Sequence, residues 1–201
     1  MSSLLLETIR CEDGEPVNLS YHQGRVNASL KQLGYTTEYN LKKLLSPPDN
    51  KLYRCRILYN DNSIDIQYLP YQKRVISRLQ LIQADGLEYA LKYANREEID
   101  KFFLQKGDAD DILLVKNTLI TDTSIANIAL YDGEKWYTPK SPLLHGTTRA
   151  RLLKEKKIFE RDIYLKDLPS YSRFALMNAM IDFDTVKNGI ISPIKGEIDV
   201  V

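Results

Sequence analysis

The stretch Thr118–Thr138 reads TLITDTSIANIALYDGEKWYT. Within it, Thr118 to Thr121 and Ile125 to Tyr131 are rich in β-branched and apolar residues, the composition of strands. Asp132-Gly133 supplies the dipeptide of a tight hairpin, so Lys135 to Thr138 is expected to return as a third strand. Strands that follow one another through short turns, with helices set apart from them, point to an α+β fold.

Downstream of this stretch, Gly146 to Lys157 reads as a cationic helix and Leu176 to Met180 as a strand, and the tail from Gly189 carries turn signals. Upstream, Ile112 to Val115 is a short buried strand, Glu97 to Gln105 has a helical period ending at Gly107, and Arg78 to Ala84 (RLQLIQA) alternates as a strand does. Leu52 to Tyr59 and Ile64 to Leu69 flank the turn Asn60-Asp61-Asn62-Ser63 and predict an antiparallel pair. A short helix over Glu38 to Leu45 is closed by Pro47-Pro48, since consecutive prolines cannot continue it. From Ser20 the pattern is helical, with Val26, Leu30 and Leu33 on one side and Gly34 at the stop. Leu4 to Cys11 reads as a strand, Glu12 to Pro16 as a hairpin turn, and Val17 to Leu19 as the returning strand. The spacing predicts two lobes, 1–84 with two helices against a small sheet and 85–201 with the remaining strands.

Composition removes several function classes. The 201 residues fit one domain or two small ones and need neither disulfides nor metals to hold a core. At 43% hydrophobic and 27% charged the chain is ordinary for a globular protein. Its 28 Lys+Arg against 27 Asp+Glu give a net charge of +1, without the field of a nonspecific nucleic-acid binder. Cys11 and Cys55 cannot build a disulfide framework or a four-cysteine metal site, and His22 and His145 cannot build a three-histidine one. The opening Met-Ser-Ser-Leu-Leu-Leu-Glu meets charge after three leucines, so neither a signal peptide nor a membrane span is expected, and the expected location is cytoplasmic.

Five separated motifs carry a resemblance. They are Leu6-Glu7-Thr8-Ile9-Arg10 with Asp13-Gly14 and His22-x-x-Arg25; Leu91-Lys92-Tyr93-Ala94-Asn95-Arg96; Ala109-Asp110-Asp111-Ile112-Leu113 followed by Thr121-Asp122 and Asn127-Ile128; Trp136-Tyr137-Thr138-Pro139 with Gly146-Thr147-Thr148-Arg149; and Asn178-Ala179-Met180. In this order they resemble the class IV aminotransferase-like, fold type IV pyridoxal-phosphate enzymes, and within them are most similar to the 4-amino-4-deoxychorismate lyases. Matches run from Leu6 to Met180. Set against that family, the sequence is expected to lack the segment that usually precedes the first matched strand and to have a compressed stretch between Leu69 and Lys92.

The resemblance implies a small amino-terminal α/β lobe and a larger β-barrel-like carboxy-terminal lobe carrying the cofactor lysine. It implies pyridoxal 5'-phosphate in the cleft between lobes, a small-molecule substrate and a homodimer, with no nucleic-acid or membrane partner. Lys92 would join the cofactor aldehyde and later move protons. Taken alone, a lysine among Tyr89, Leu91 and Tyr93 is a solvated surface residue. Asp122 would sit beside the pyridine nitrogen, where relatives use the longer Glu; on residue type alone it is equally a turn or cap acid. Arg25, Thr147 and Thr148 would hold the phosphate, by one guanidinium fork and a helix start. The bland versions are an exposed cation and an ordinary threonine-rich helix start. Asn178 is either a site-lining amide or a turn residue. The implied activity is a lyase yielding 4-aminobenzoate and pyruvate from 4-amino-4-deoxychorismate, in folate biosynthesis. An aminotransferase for branched-chain or D-amino acids, and an inactive relative that only binds a partner, are the alternatives.

Overall fold

Alternation in the first strand organises the smaller of two compact units. Strand β1 (Leu5–Glu12) buries Leu5, Glu7, Ile9 and Cys11 and leaves the intervening residues part-exposed, the period of a sheet covered on one face. The computed structural model describes residues 3–194. Asp13 and Gly14 both take positive φ, 54° and 77°, which fits a two-residue hairpin turn into β2 (Glu15–Pro16).

The returning strand stops there, short of the expected Val17–Leu19. Asn18 adopts the left-handed conformation and helix α1 (Leu19–Gln32) begins immediately after it. Helix α1 lays His22, Val26, Ser29 and Leu30 against the sheet and ends at Gly34, whose φ of 71° suits glycine. Helix α2 (Leu41–Leu44) is one turn, shorter than Glu38–Leu45, because the Asn40 side chain accepts from Lys43 N and so sets the start later. Strands β3 (Tyr53–Tyr59) and β4 (Ile64–Pro70) pair antiparallel as expected and complete the sheet order β2-β1-β3-β4. The core beneath it joins Leu5, Ile9, Cys11, Val26, Leu30, Cys55, Ile57 and Tyr59, with both cysteines as free thiols.

This unit runs to Lys73 and takes in Leu91–Asn95, a strip that returns to the free edge of β1. The second unit holds Arg74–Ala90 and the chain from Arg96 onward. The division therefore differs from a single boundary at 84/85. The reason is β5 (Arg78–Gln83), which pairs parallel with β6 (Asp111–Lys116) and with β13 (Ile190–Ser192). Four consecutive residues of β5 are buried, as in a strand covered on both faces, and Gln80 among them only imitates alternation.

From β6 the sheet continues antiparallel through β7 (Leu119–Thr123), β8 (Asn127–Tyr131) and β9 (Trp136–Pro139). It then adds β10 (Phe159–Arg161) in parallel, and β11 (Arg173–Asn178) pairs with both β8 and β12 (Asp182–Val186). The sheet branches at β8, whose one edge is shared by β7 and β9 in succession and whose other edge is β11. Ile128, Leu130, Phe174 and Leu176 face the main core of this unit. On the other side Ala129 and Met177 receive Leu152 of helix α4 (Thr147–Lys154). Helix α3 (Glu97–Phe103) runs into a 3-10 turn over Leu104–Lys106 before Gly107. A turn falls at Lys187–Asn188, just before Gly189, β13 follows it, and the expected tail beyond residue 194 lies outside the described residues.

Candidate active site

Lys92 lies on the strip added to β1. Leu6 N donates to Lys92 O at 2.8 Å and Ala94 N to Leu4 O at 2.9 Å, with Leu5 bridged to Tyr93. Leu91 and Tyr93 both pack on the core beneath the sheet, and Tyr93 N donates to Leu91 O at 2.9 Å, so the strip makes a tight turn at Lys92. Lys92 is half-buried, flanked by the apolar residues that hold its backbone in place.

Arg25 projects from α1 toward the covered side of β1. Its Nε donates to Glu7 Oε2 at 2.9 Å and its Nη2 to Glu7 Oε1, which His22 Nδ1 also meets at 2.8 Å. Glu7 is fully buried. Burial alone would raise its pKa, but the Arg25 guanidinium and His22 outweigh it and hold the carboxyl well below the usual range. The H-x-x-R spacing puts His22 and Arg25 on one helical face, so a single carboxylate receives both.

Asp122, Thr147 and Thr148 belong to the second unit. Asp122 ends up 4% exposed near the close of β7. Asn127 Nδ2 donates to its Oδ1 at 2.8 Å and Leu144 N to its Oδ2 at 2.8 Å. Burial is the largest influence and pushes Asp122 up to about 7, against these neutral donors and the more distant Arg149. Its turn is pinned separately: Arg96 Nη2 donates to Ser124 O at 2.7 Å, and Ala126 N to Thr123 Oγ1 at 3.0 Å.

Asn178 also fastens this turn, through Nδ2 to Ile125 O at 3.2 Å, while its Oδ1 accepts from Met180 N and Ile181 N. That settles Asn178 as a strand-end turn residue. Two short steps from Asp122, Leu144 leads through exposed His145 to Gly146 and α4.

Helix α4 opens on buried Thr147 and Thr148, has no acid in its first turn and carries Arg151 and Lys154 at its end. No side chain caps its start among the described residues, so its first N–H groups and its dipole favour an anion. Arg149 does not point to that end. It is buried and donates to Pro139 O at 2.8 Å and Glu160 Oε1 at 2.7 Å, tying α4 to β9 and β10.

The structure thus brings Asp122 close to the start of α4 in one unit, and carries Arg25 and Lys92 in the other. Sequence reasoning assigned no role to Glu7 or Asn127. The signal for Glu7 was its place on the apolar register Leu5, Glu7, Ile9, Cys11. For Asn127 it was an amide opening an otherwise apolar strand.

A buried carboxyl held by neutral donors and a nearby uncapped helix start suit a ligand with a cationic ring nitrogen and an anionic tail. Pyridoxal phosphate has both, so the second unit's residues fit that group. The fold is that of the fold type IV pyridoxal-phosphate enzymes. The chain belongs to the family described as "Amino-transferase class IV", which it matches over residues 4–188, and it is a pyridoxal-phosphate-dependent enzyme.

A protein of Haemophilus influenzae without an assigned function is 40% identical over 182 residues, covering 88% of this chain and 97% of its own. A crystal structure of a protein from Haemophilus somnus 129pt, provisionally named a 4-amino-4-deoxychorismate lyase, is 36% identical with a TM-score of 0.83, covering 89% of this chain and 96% of that one. A Schizosaccharomyces pombe protein, provisionally named an aminodeoxychorismate lyase, is 31% identical over 169 residues, covering 75% of this chain and 73% of its own. Among the described residues no helix is long and apolar enough to cross a membrane.

Proposed function

We propose that this enzyme is a 4-amino-4-deoxychorismate lyase, releasing pyruvate and 4-aminobenzoate. The observation that carries a pyridoxal-phosphate site is Asp122, a buried carboxyl whose hydrogen-bond donors among the described residues are neutral, next to an uncapped helix start. The lyase reading is supported by the names given to the Haemophilus somnus and Schizosaccharomyces pombe relatives and by the Asn178-Ala179-Met180 triplet.

In this reading Lys92 holds the cofactor covalently, Arg25, Thr147 and Thr148 bind its phosphate, and Asp122 keeps a proton on its ring nitrogen. Pyridoxal phosphate, when bound, supplies an electron sink that stabilises negative charge on the amine-bearing carbon of the substrate. The Lys92 amine then takes the proton from that carbon and can return one to the departing three-carbon unit. A cytoplasmic homodimer serving folate synthesis completes the proposal, and light scattering in solution checks the dimer.

Purified protein given pyridoxal phosphate is expected to turn yellow and stay so through dialysis. Borohydride should trap the cofactor on the peptide containing Lys92, and Lys92→Ala should abolish both trapping and turnover. Pyruvate and 4-aminobenzoate in equal amounts support the lyase. Amino transfer to a 2-oxo acid without 4-aminobenzoate would instead make it an aminotransferase, the second reading that the family description favours.

A further inference from the structure

The geometry points to Asn127 as a positioning residue that sets the separation between the Asp122 carboxyl and the start of α4, with Gly146 required to be glycine by that same amide. Asn127 is buried at the first position of β8, where it pairs with Asp122 on one edge and Met177 on the other. Both hydrogens of its amide are used: Nδ2 donates to Asp122 Oδ1 and to Leu144 O, each at 2.8 Å. Leu144 N returns to Asp122 Oδ2 at 2.8 Å. Carboxyl, amide and the Leu144 peptide thus close a ring of hydrogen bonds two residues before Gly146, the N-cap of α4.

The amide oxygen, Oδ1, faces Gly146. A Cβ built there would stand 2.0 Å from Oδ1 and 3.2 Å from Cγ, closer than real contacts allow. No other side chain reproduces the arrangement. Asp fills the space but lacks the donor, Gln carries the amide too far, and Ser leaves the space open.

The inference rests on the reading that Asp122 and α4 grip opposite ends of one rigid cofactor. Two such grips cooperate only at a fixed separation, and errors of an ångström are costly. Asn127 is the side chain that touches the acid and also packs on the residue opening the helix.

The test is a double-mutant cycle on the whole protein, with Asn127→Ser, Gly146→Ala and their combination, and Asn127→Asp as a volume-keeping control. Pyridoxal phosphate is titrated by absorbance into cofactor-free protein, and phosphate-free pyridoxal is titrated in parallel. Each single variant should weaken pyridoxal phosphate about 10–100-fold and pyridoxal distinctly less, because only the former uses both grips. Gly146→Ala should add little in the Asn127→Ser background, where the collision is gone, and keep its full effect with Asn127→Asp. In Asn127→Ser the spectral pH midpoint of bound cofactor should also move, since Asp122 loses a donor.

Melting temperatures of the cofactor-free proteins should show the same non-additivity. Additive effects in melting and in binding would overturn the inference, as would equal losses for both ligands. If melting is non-additive yet wild-type protein takes up no pyridoxal phosphate, the spacer stands and the cofactor reading falls.

Discussion

Glu7 in the first unit and Asp122 in the second are both buried carboxylates, and the two are treated in opposite ways. Glu7 meets a guanidinium and an imidazole and is held ionised, with its carboxyl well below the usual range. Asp122 meets an amide and a peptide N–H, both neutral, and is pushed up to about 7. The first arrangement pairs its charge within the protein. The second lacks a positive charge that a ligand could bring, which is why perturbed carboxyls of the second kind point to function more often than those of the first.

The largest expected effect breaks the first arrangement. Glu7→Gln leaves Arg25 and His22 facing a neutral amide and should cost roughly 3–5 kcal/mol by urea unfolding at pH 7. Because the folded pKa of Glu7 is depressed, its stabilisation is present above the ordinary carboxylate range and is lost as pH falls through the folded value. The gap between wild type and variant should therefore close only in strong acid.

Asp122→Asn should act with the opposite sign on the pH dependence of stability. The folded pKa of Asp122 is raised, so the folded form keeps a proton that the unfolded chain releases between about pH 4 and pH 7. Cofactor-free wild type should lose stability across that window, with the full penalty above it. The variant lacks this pH slope, so relative to wild type it should gain roughly 2–4 kcal/mol between about pH 4 and pH 8. It starts from a deficit at the acid end, because its NH2 meets Asn127 Nδ2 or Leu144 N, donor against donor. Turnover of loaded enzyme should fall about a hundredfold or more. Equal pH slopes for the two proteins would show that the carboxyl is already compensated.

The smallest effect is a control for burial. Glu88 contacts Lys116 with its own side chain 79% exposed, and Glu88→Gln should change stability by no more than about 0.5 kcal/mol in the same urea assay.

Much of this contrast was open to sequence reading. The inward register Leu5, Glu7, Ile9, Cys11 already put an acid on an apolar face, and His22 and Arg25 stood one helical turn apart. The β3–β4 hairpin and the strands around Asp132-Gly133 followed from turn chemistry. What escaped was set by long-range pairing. RLQLIQ reads as a half-buried strand, yet its parallel neighbours β6 and β13 come from distant sequence and bury both faces. Strand β12 is too polar and β13 too short to stand out. The chemistry at Asp122 was legible as a residue type, but its link to Gly146 through Asn127 depends on side-chain direction, which no spacing rule gives.

The strip Leu91–Asn95 bears on how the chain is made. Leu91 belongs to the core under β1, β3 and α1, yet seventeen residues of the other unit, Arg74–Ala90, are translated between it and Lys73. A nascent chain stalled near residue 80 holds every helix and strand of the first unit but lacks Leu91, one of its buried core residues. The lysine beside it therefore reaches the unit together with the last piece of that core.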